Sequence, residues 1–322
     1  MHPIDFSHID HFKVGHAQNL IAGTGCTVVL CESGAVTGVD VRGGAPGTRE
    51  TDLLHPGNLV EKIHAVVLAG GSSFGLDAAC GVTAFLEEEG VGFDTGVAKI
   101  PIVCAAVLFD LAFGESRVRP DRKMGMAACL DAATPGCAQG CVGAGAGATV
   151  GKILGMERCM KSGLGAFCVR TGGLDMGAIV AVNCLGDVVD PATGKTLAGV
   201  LDDDGRRCLN TEEIMIRQFA DRRMTFSGNT TIGVVVTNAR LTKSEANKVA
   251  SMAHNGYARA LRPAHSMVDG DTIFILATGE ADTDVSVAGL LAARTVEGAV
   301  VRAVREATPL LGLTCHSDLI SG

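Results

Sequence analysis

Two aspartates one residue apart, in Asp269-Gly270-Asp271-Thr272, stand at the start of a β-branched run. Residues so spaced in extended chain point the same way, so two carboxylates can share a hydroxyl or an ammonium group. The other reading is a solvated turn, because Asp-Gly is a common turn pair. A hydroxyl stands at the head of a second apolar run, in Phe226-Ser227-Gly228-Asn229-Thr230-Thr231-Ile232-Gly233, which taken alone is an ordinary loop entering a strand. A third segment, Gly71-Ser72-Ser73-Phe74-Gly75, fits the G-x-S-x-G turn that raises a serine nucleophile between strand and helix, here Ser73. Its alternative is a glycine-rich turn that lets the backbone pass close to another segment. The run from Gly143 to Lys152 imitates a phosphate loop, but Ala146 stands where glycine is needed and Ile153 where Ser or Thr must follow the lysine, so nucleotide binding is rejected there.

These residues need elements to position them. Residues 26–31 and 35–41 are β-branched runs around Glu32-Ser33-Gly34, which predicts a hairpin. Residues 62–69 predict a buried strand, followed by the glycine turn and a helix over 76–89 closed by Gly90. Strands are expected at 177–184, 231–238 and 272–278, with a turn at 190–194 and an exposed loop from Asp202 through the polar stretch that follows. Thr242 with Glu245 forms a capping box opening a helix that Pro263 stops, and a last helix spans about 284–307 with Val287, Leu290, Leu291, Val296 and Val300 facing inward. Hairpins mixed with strand-helix units make the class α+β, with sheet packed on sheet and helices outside.

Composition narrows the function. The chain has 322 residues, 47% of them apolar, enough for a large core; 43 glycines and 4% aromatics imply close backbone packing. A net charge of −8 without basic clusters argues against nucleic-acid partners. Most of the twelve cysteines sit in apolar runs without a C-x-x-C pair, which reads as reduced thiols of a cytoplasmic chain with no metal site. No leader and no apolar run of membrane-spanning length is visible.

Read together, Val14-Gly15-His16-Ala17, Thr24-Gly25-Cys26-Thr27-Val28, residues 70–79, residues 143–152, Ala181-Val182-Asn183, residues 228–233 and residues 269–272 resemble, in order, the P1 family of peptidases. That group holds aminopeptidase/D-esterases, β-aminopeptidases and nylon-oligomer hydrolases. The resemblance implies a four-layer αββα sandwich and self-cleavage between Asn229 and Thr230, giving a single domain made of parts 1–229 and 230–322. Thr230 would be the nucleophile, its freed α-amine the base, since a threonine hydroxyl needs one and an α-amine titrates near neutrality. Asp269 and Asp271 would hold the hydroxyl and amine, Lys152 would balance the two carboxylates, and Asn183 would donate to the oxyanion. Asn183 as a satisfied core amide and Lys152 as a structural ion pair are the plain alternatives.

The same resemblance makes the 70–75 turn scaffold beside the site, with Gly71, Ser72, Ser73 and Phe109 bordering the substrate. Phe109 departs from the tyrosine that many relatives carry, and Thr with paired Asp places the chain nearer the oligomer hydrolases than the serine-using peptidases. A small peptide or linear ω-amide substrate, no cofactor, and a homotetramer or larger assembly are the expectations. The competing readings are a Ser73 esterase of α/β-hydrolase type and a relative that binds metabolites without turnover.

Overall fold

The computed structural model describes residues 1–220 and 228–320. Phe226 and Ser227 of the Thr230 segment lie outside the described residues. The elements that carry the site, in chain order, are β1 (Lys13–Asn19), β2 (Thr24–Val41), β3 (Lys62–Ala69), α1 (Ala78–Glu88), β4 (Val103–Val107), α2 (Arg122–Asp131), β5 (Leu164–Thr171), β6 (Leu174–Asn183), α3 (Thr211–Ala220), β7 (Thr230–Ala239), α4 (Lys243–Ala260), β8 (Thr272–Ala281) and α5 (Val285–Arg305).

The strands hydrogen-bond in the order β5-β6-β7-β8-β2-β3-β4, with β1 also on β2; β7 and β8 run parallel, as do β3 and β4, and the other pairs are antiparallel. β2 belongs to both halves of this sheet. Its residues 36–41 pair with β8, its residues 24–30 with β1 and its residues 26–30 and 35–36 with β3, where the register shifts between Leu30 and Ala35. Extra residues on one strand bend it and sharpen its twist. The two halves consequently face each other across one buried cluster, with Val29, Val66, Leu68 and Cys104 on one side and Ile179, Ile232, Val234 and Phe274 on the other.

The alternate residues of the same strands point outward and are covered by helices. Val180, Val182, Val235, Ile273 and Ile275 pack under Val249 and Tyr257 of α4 and Val296 and Val300 of α5. Ala65, Val67, Val103 and Ala105 pack under Val82 and Leu86 of α1 and Ala128 and Cys129 of α2. The result is the expected αββα sandwich. Strands buried on both faces read as continuous apolar runs, which is why these segments show little alternation in the sequence.

Three local expectations are corrected. Glu32-Ser33-Gly34 makes no hairpin: the two runs are one 18-residue strand with an irregularity in it, and the true hairpin joins β1 to β2. The polar stretch after Asp202-Asp203-Asp204 folds after Asn210 into α3, which packs Ile214 and Met215 against Ile153, Leu185 and Val200 and leaves Ile216 and Phe219 exposed. On α5, Leu291, Val296 and Val300 are buried, but Val287 and Leu290 face outward. The capping box at Thr242 and Glu245 forms as predicted, and the helix over 76–89 starts later, behind a 3-10 turn at Ser72–Asp77.

Candidate active site

Thr230 is the first residue of β7 and lies opposite Asn183, the last residue of β6. On the other side β8 begins at Thr272, in parallel register with Ile232, so the Asp269-Gly270-Asp271 turn arrives beside Thr230. Three strand ends thereby gather the nucleophile candidate, the amide and the acidic pair, all of them buried. Asp269 and Asp271 are each 1% exposed, so the reading of this turn as solvated does not hold.

The Thr230 hydroxyl sits on the carbonyl oxygen of Asn229, in a short contact. The Asn229 N–H donates to the carbonyl of Val268 at 3.3 Å. A β-carbon at Gly270 would lie 2.7 Å from the Thr230 hydroxyl oxygen, so only glycine lets the acidic turn come this close. Asp271 accepts the Thr231 N–H through Oδ1 at 2.8 Å, and through Oδ2 the backbone N–H and ring Nδ1 of His265 at 3.0 and 2.9 Å. Asp269 Oδ2 accepts the N–H of Ser266 at 2.9 Å and also its hydroxyl. Asp269 Oδ1 has no partner among the described residues. Burial, and then the charge of Asp271, push the Asp269 carboxyl above the usual carboxylate range, against the two Ser266 donors. An unpartnered buried acceptor with raised basicity is suited to take a proton.

Neither carboxylate hydrogen-bonds the Thr230 hydroxyl among the described residues; Asp271 reaches β7 through the amide of Thr231. Lys152 lies close enough for its charge to lower the Asp269 carboxyl, as the resemblance implies, but its hydrogen bonds go elsewhere. Its ammonium donates to Asn183 Oδ1 at 2.7 Å and to the Asn183 carbonyl at 2.9 Å, with no ion pair to either aspartate among the described residues. Complete burial pulls it down to about 8. Asn183 Oδ1 also accepts Thr149 N–H at 3.0 Å, while its Nδ2 donates to the Phe109 carbonyl at 2.9 Å. Two donors at one end and an acceptor at the other fix the amide's orientation, and one Nδ2 hydrogen remains to be offered elsewhere.

Phe109 lies against Gly228, where a β-carbon would meet its ring at 2.4 Å. A cleft of about 280 Å³ opens there, bordered by Phe109, Asp110, Phe113, Thr149 and Lys152. A larger apolar groove of about 560 Å³ runs along Ile153, Leu185, Met215, Phe219, Met267 and Val268, the last of which holds Asn229.

The 70–75 turn is built differently. Ser73 is exposed and its hydroxyl makes no hydrogen bond among the described residues. Gly71 N–H donates to Asp110 Oδ1 at 2.6 Å, and Thr24 donates to Asp110 Oδ2 at 2.7 Å. A β-carbon on Gly70 would stand 2.0 Å from that Oδ2, so the glycines let a buried carboxylate clamp the turn. Ser72 donates its N–H to the Leu108 carbonyl at 2.9 Å, tying the turn to the Phe109 segment.

Sequence reasoning missed Asp110, His265 and Ser266. Ser266 carried a readable signal, since Ser-x-x-Asp is the spacing at which a side chain returns to a backbone N–H. Asp110 and His265 carried none, because their partners are distant in sequence or set by backbone conformation.

The αββα sandwich defines the fold class, that of the N-terminal-nucleophile hydrolases. Among solved structures, the chain resembles the L-aminopeptidase D-Ala-esterase/amidase of Ochrobactrum anthropi with a TM-score of 0.71 at 17% identity, over 98% of this chain and 92% of that one. It resembles a β-aminopeptidase of Burkholderia sp. with a TM-score of 0.69 at 18% identity, over 98% and 92%. It is 41% identical to an uncharacterized aminopeptidase of Mycobacterium tuberculosis over 96% of each chain. It is 36% identical to a 6-aminohexanoate-oligomer endohydrolase of Kocuria sp. over 84% of this chain and 74% of that one. Peptidase family S58 matches residues 7–317. The chain belongs to peptidase family S58 and is a hydrolase of amide bonds.

Proposed function

We propose that the chain cuts itself between Asn229 and Thr230 and that the new N-terminal threonine then hydrolyses linear amides. The observation that carries this is the Thr230 hydroxyl seated on the Asn229 carbonyl, with Asp269 Oδ1, which has no partner among the described residues, in the adjoining acidic turn. The hydroxyl oxygen adds to the Asn229 carbonyl carbon and its proton passes to Asp269. The C–N bond breaks, the Thr230 nitrogen takes the proton, and the chain is held as an ester. Water hydrolyses that ester, leaving the Asn229 carboxylate, the Thr230 hydroxyl and a free amine.

The amine then serves as the base for turnover, on the same residue as the hydroxyl, so no further entropy is needed to bring them together. Thr230 takes the acyl group of the substrate amide, the leaving amine departs with a proton, and water releases the acid. Asn183 Nδ2 offers its remaining hydrogen to the developing oxyanion, and Lys152 holds the other end of that amide.

The apolar groove beside Val268 supports substrates with a hydrocarbon spacer or apolar side chain on the acyl side. This fits a relative named for 6-aminohexanoate oligomers as well as those named aminopeptidases. Denaturing electrophoresis tests the cleavage: the 33.0 kDa chain gives fragments of about 23 and 10 kDa, in proportion to length. The small fragment must begin Thr-Thr-Ile-Gly on N-terminal sequencing, and any other start removes Thr230 from the nucleophile's place. Hydrolysis of aminohexanoate oligomers against aminoacyl amides then ranks the substrates.

A further inference from the structure

We infer that His265 is a positioning residue that holds Asp271, and through it the head of β7, in the geometry that Thr230 needs. The inference rests on the Thr230 reading above. Among the described residues Asp271 has three donors; one is the amide of Thr231, beside Thr230, and the other two both come from His265. Every hydrogen bond from a described residue that orients this carboxylate is thus either to the strand of Thr230 or to one histidine.

His265 is built for the purpose. Its φ is +60°, a left-handed conformation that costs a β-carbon-bearing residue about 1 kcal/mol or more. In that conformation its backbone N–H and its ring Nδ1 reach the same oxygen. The carboxylate is acceptor-only when ionised, so Nδ1 carries the hydrogen. The ring is held edge-on by His254 of α4, with centroids 4.8 Å apart and planes at 70°, and Tyr257 stands 6.2 Å away. His254 is itself fixed on β2 by the Asp40 carbonyl, 3.0 Å from its Nε2. A helix and a strand outside the catalytic constellation thereby set the angle at which Asp271 meets Thr231.

The test compares two replacements that both accept the left-handed backbone. His265→Gly keeps φ and the backbone N–H but has no ring donor. His265→Asn keeps φ and puts an amide nitrogen where Nδ1 stands. In the full-length chain, His265→Gly is expected to slow self-cleavage about 10²-fold and to lower kcat equally with KM nearly unchanged, while His265→Asn stays within about tenfold of the parent. His265→Gly cutting and turning over like the parent overturns the inference. So does His265→Asn performing as poorly as His265→Gly, because ring bulk and not the hydrogen bond would then matter.

A measurement in the uncut Thr230→Ala chain keeps the question separate from folding losses and from the nucleophile assignment. The Nδ1 proton of His265 should show a hydrogen-bonded NMR resonance that shifts when Asp271→Ala is added. A resonance that is absent, or indifferent to Asp271, also overturns the inference. If instead the parent chain is never cut, the Thr230 reading fails by itself, whatever this resonance does.

Discussion

Two glycine-flanked turns in this molecule present a hydroxyl where a strand begins or ends. Ser73 follows β3 in a turn that satisfies a nucleophile pattern residue by residue, yet the serine is exposed and no base hydrogen-bonds it among the described residues. Thr230 opens β7 in a segment with no such pattern, yet it is 4% exposed and adjoins an acidic turn, one oxygen of which has no partner among the described residues. In both turns a carboxylate is buried. Asp110 spends both its oxygens on Thr24 and Gly71, whereas among the described residues Asp269 keeps one oxygen uncommitted. A saturated carboxylate is a clamp, and an unsaturated one next to a hydroxyl can accept a proton.

The largest test of that contrast exchanges the two hydroxyls. Thr230→Ala is expected to leave a single uncut band and to lower kcat by about 10⁶-fold, the scale for removing a nucleophile. Ser73→Ala is expected to be cut and to turn over like the parent. Activity that dies with Ser73→Ala and survives Thr230→Ala would reverse the comparison. Next comes Asp269→Asn, expected to slow self-cleavage by about 10²- to 10⁴-fold, the usual contribution of a positioned base. Because burial and Asp271 raise the Asp269 carboxyl, cleavage of the parent should fall with decreasing pH already above the ordinary carboxylate range. The sign follows from the base being active only when deprotonated. Cleavage time courses across pH, followed on gels, should show this limb in the parent and not in Asp269→Asn.

Asn183→Ala ranks below these. It takes away the proposed oxyanion donor and strips Lys152 of its side-chain acceptor, with an expected loss in kcat of about 10²- to 10³-fold. Steady-state kinetics on an amide substrate decides it: a rise in KM with kcat unchanged would assign Asn183 to substrate binding and not to the oxyanion.

Much of this arrangement was legible in the chain. Strands with buried faces and the capping box at Thr242 follow from residue type and spacing, and the meeting of Thr230, Asp269 and Asp271 at neighbouring strand ends agrees with the resemblance. What escaped was of two kinds. The single bent strand Thr24–Val41 was divided in two because Ser33-Gly34 is locally a turn signal, and only pairing with β3 and β8 makes it continuous. The partners of the acids escaped because they are tertiary. Lys152 acts on Asp269 by charge as expected, but its hydrogen bonds go to Asn183, the last residue of β6. His265 serves Asp271 through a left-handed backbone that no sequence pattern of histidine announces.

The smallest predicted effect concerns the Ser73 turn itself and gives it a role. Asp110 holds Gly71 and Thr24, and the adjacent Phe109 carbonyl receives the Asn183 amide, so the clamp on this turn also sets the distance to the oxyanion donor. Asp110→Ala leaves the Gly71 N–H and the Thr24 hydroxyl without their acceptor, which costs about 1–3 kcal/mol of stability for a buried unsatisfied group. Asp110→Asn should be far milder. Its carbonyl can accept from Gly71, its amide can donate to the Thr24 hydroxyl oxygen, and no charge is buried. Burial holds the Asp110 carboxyl above its usual range, so the folded chain keeps a proton that the unfolded chain has released, and the ionised clamp costs stability as pH rises through that window. Urea unfolding at pH 7 should therefore rank the parent and Asp110→Asn close together, with Asp110→Ala below them and Ser73→Ala at the parental value. A Ser73→Ala chain as unstable as Asp110→Ala would place the turn's function in its hydroxyl after all.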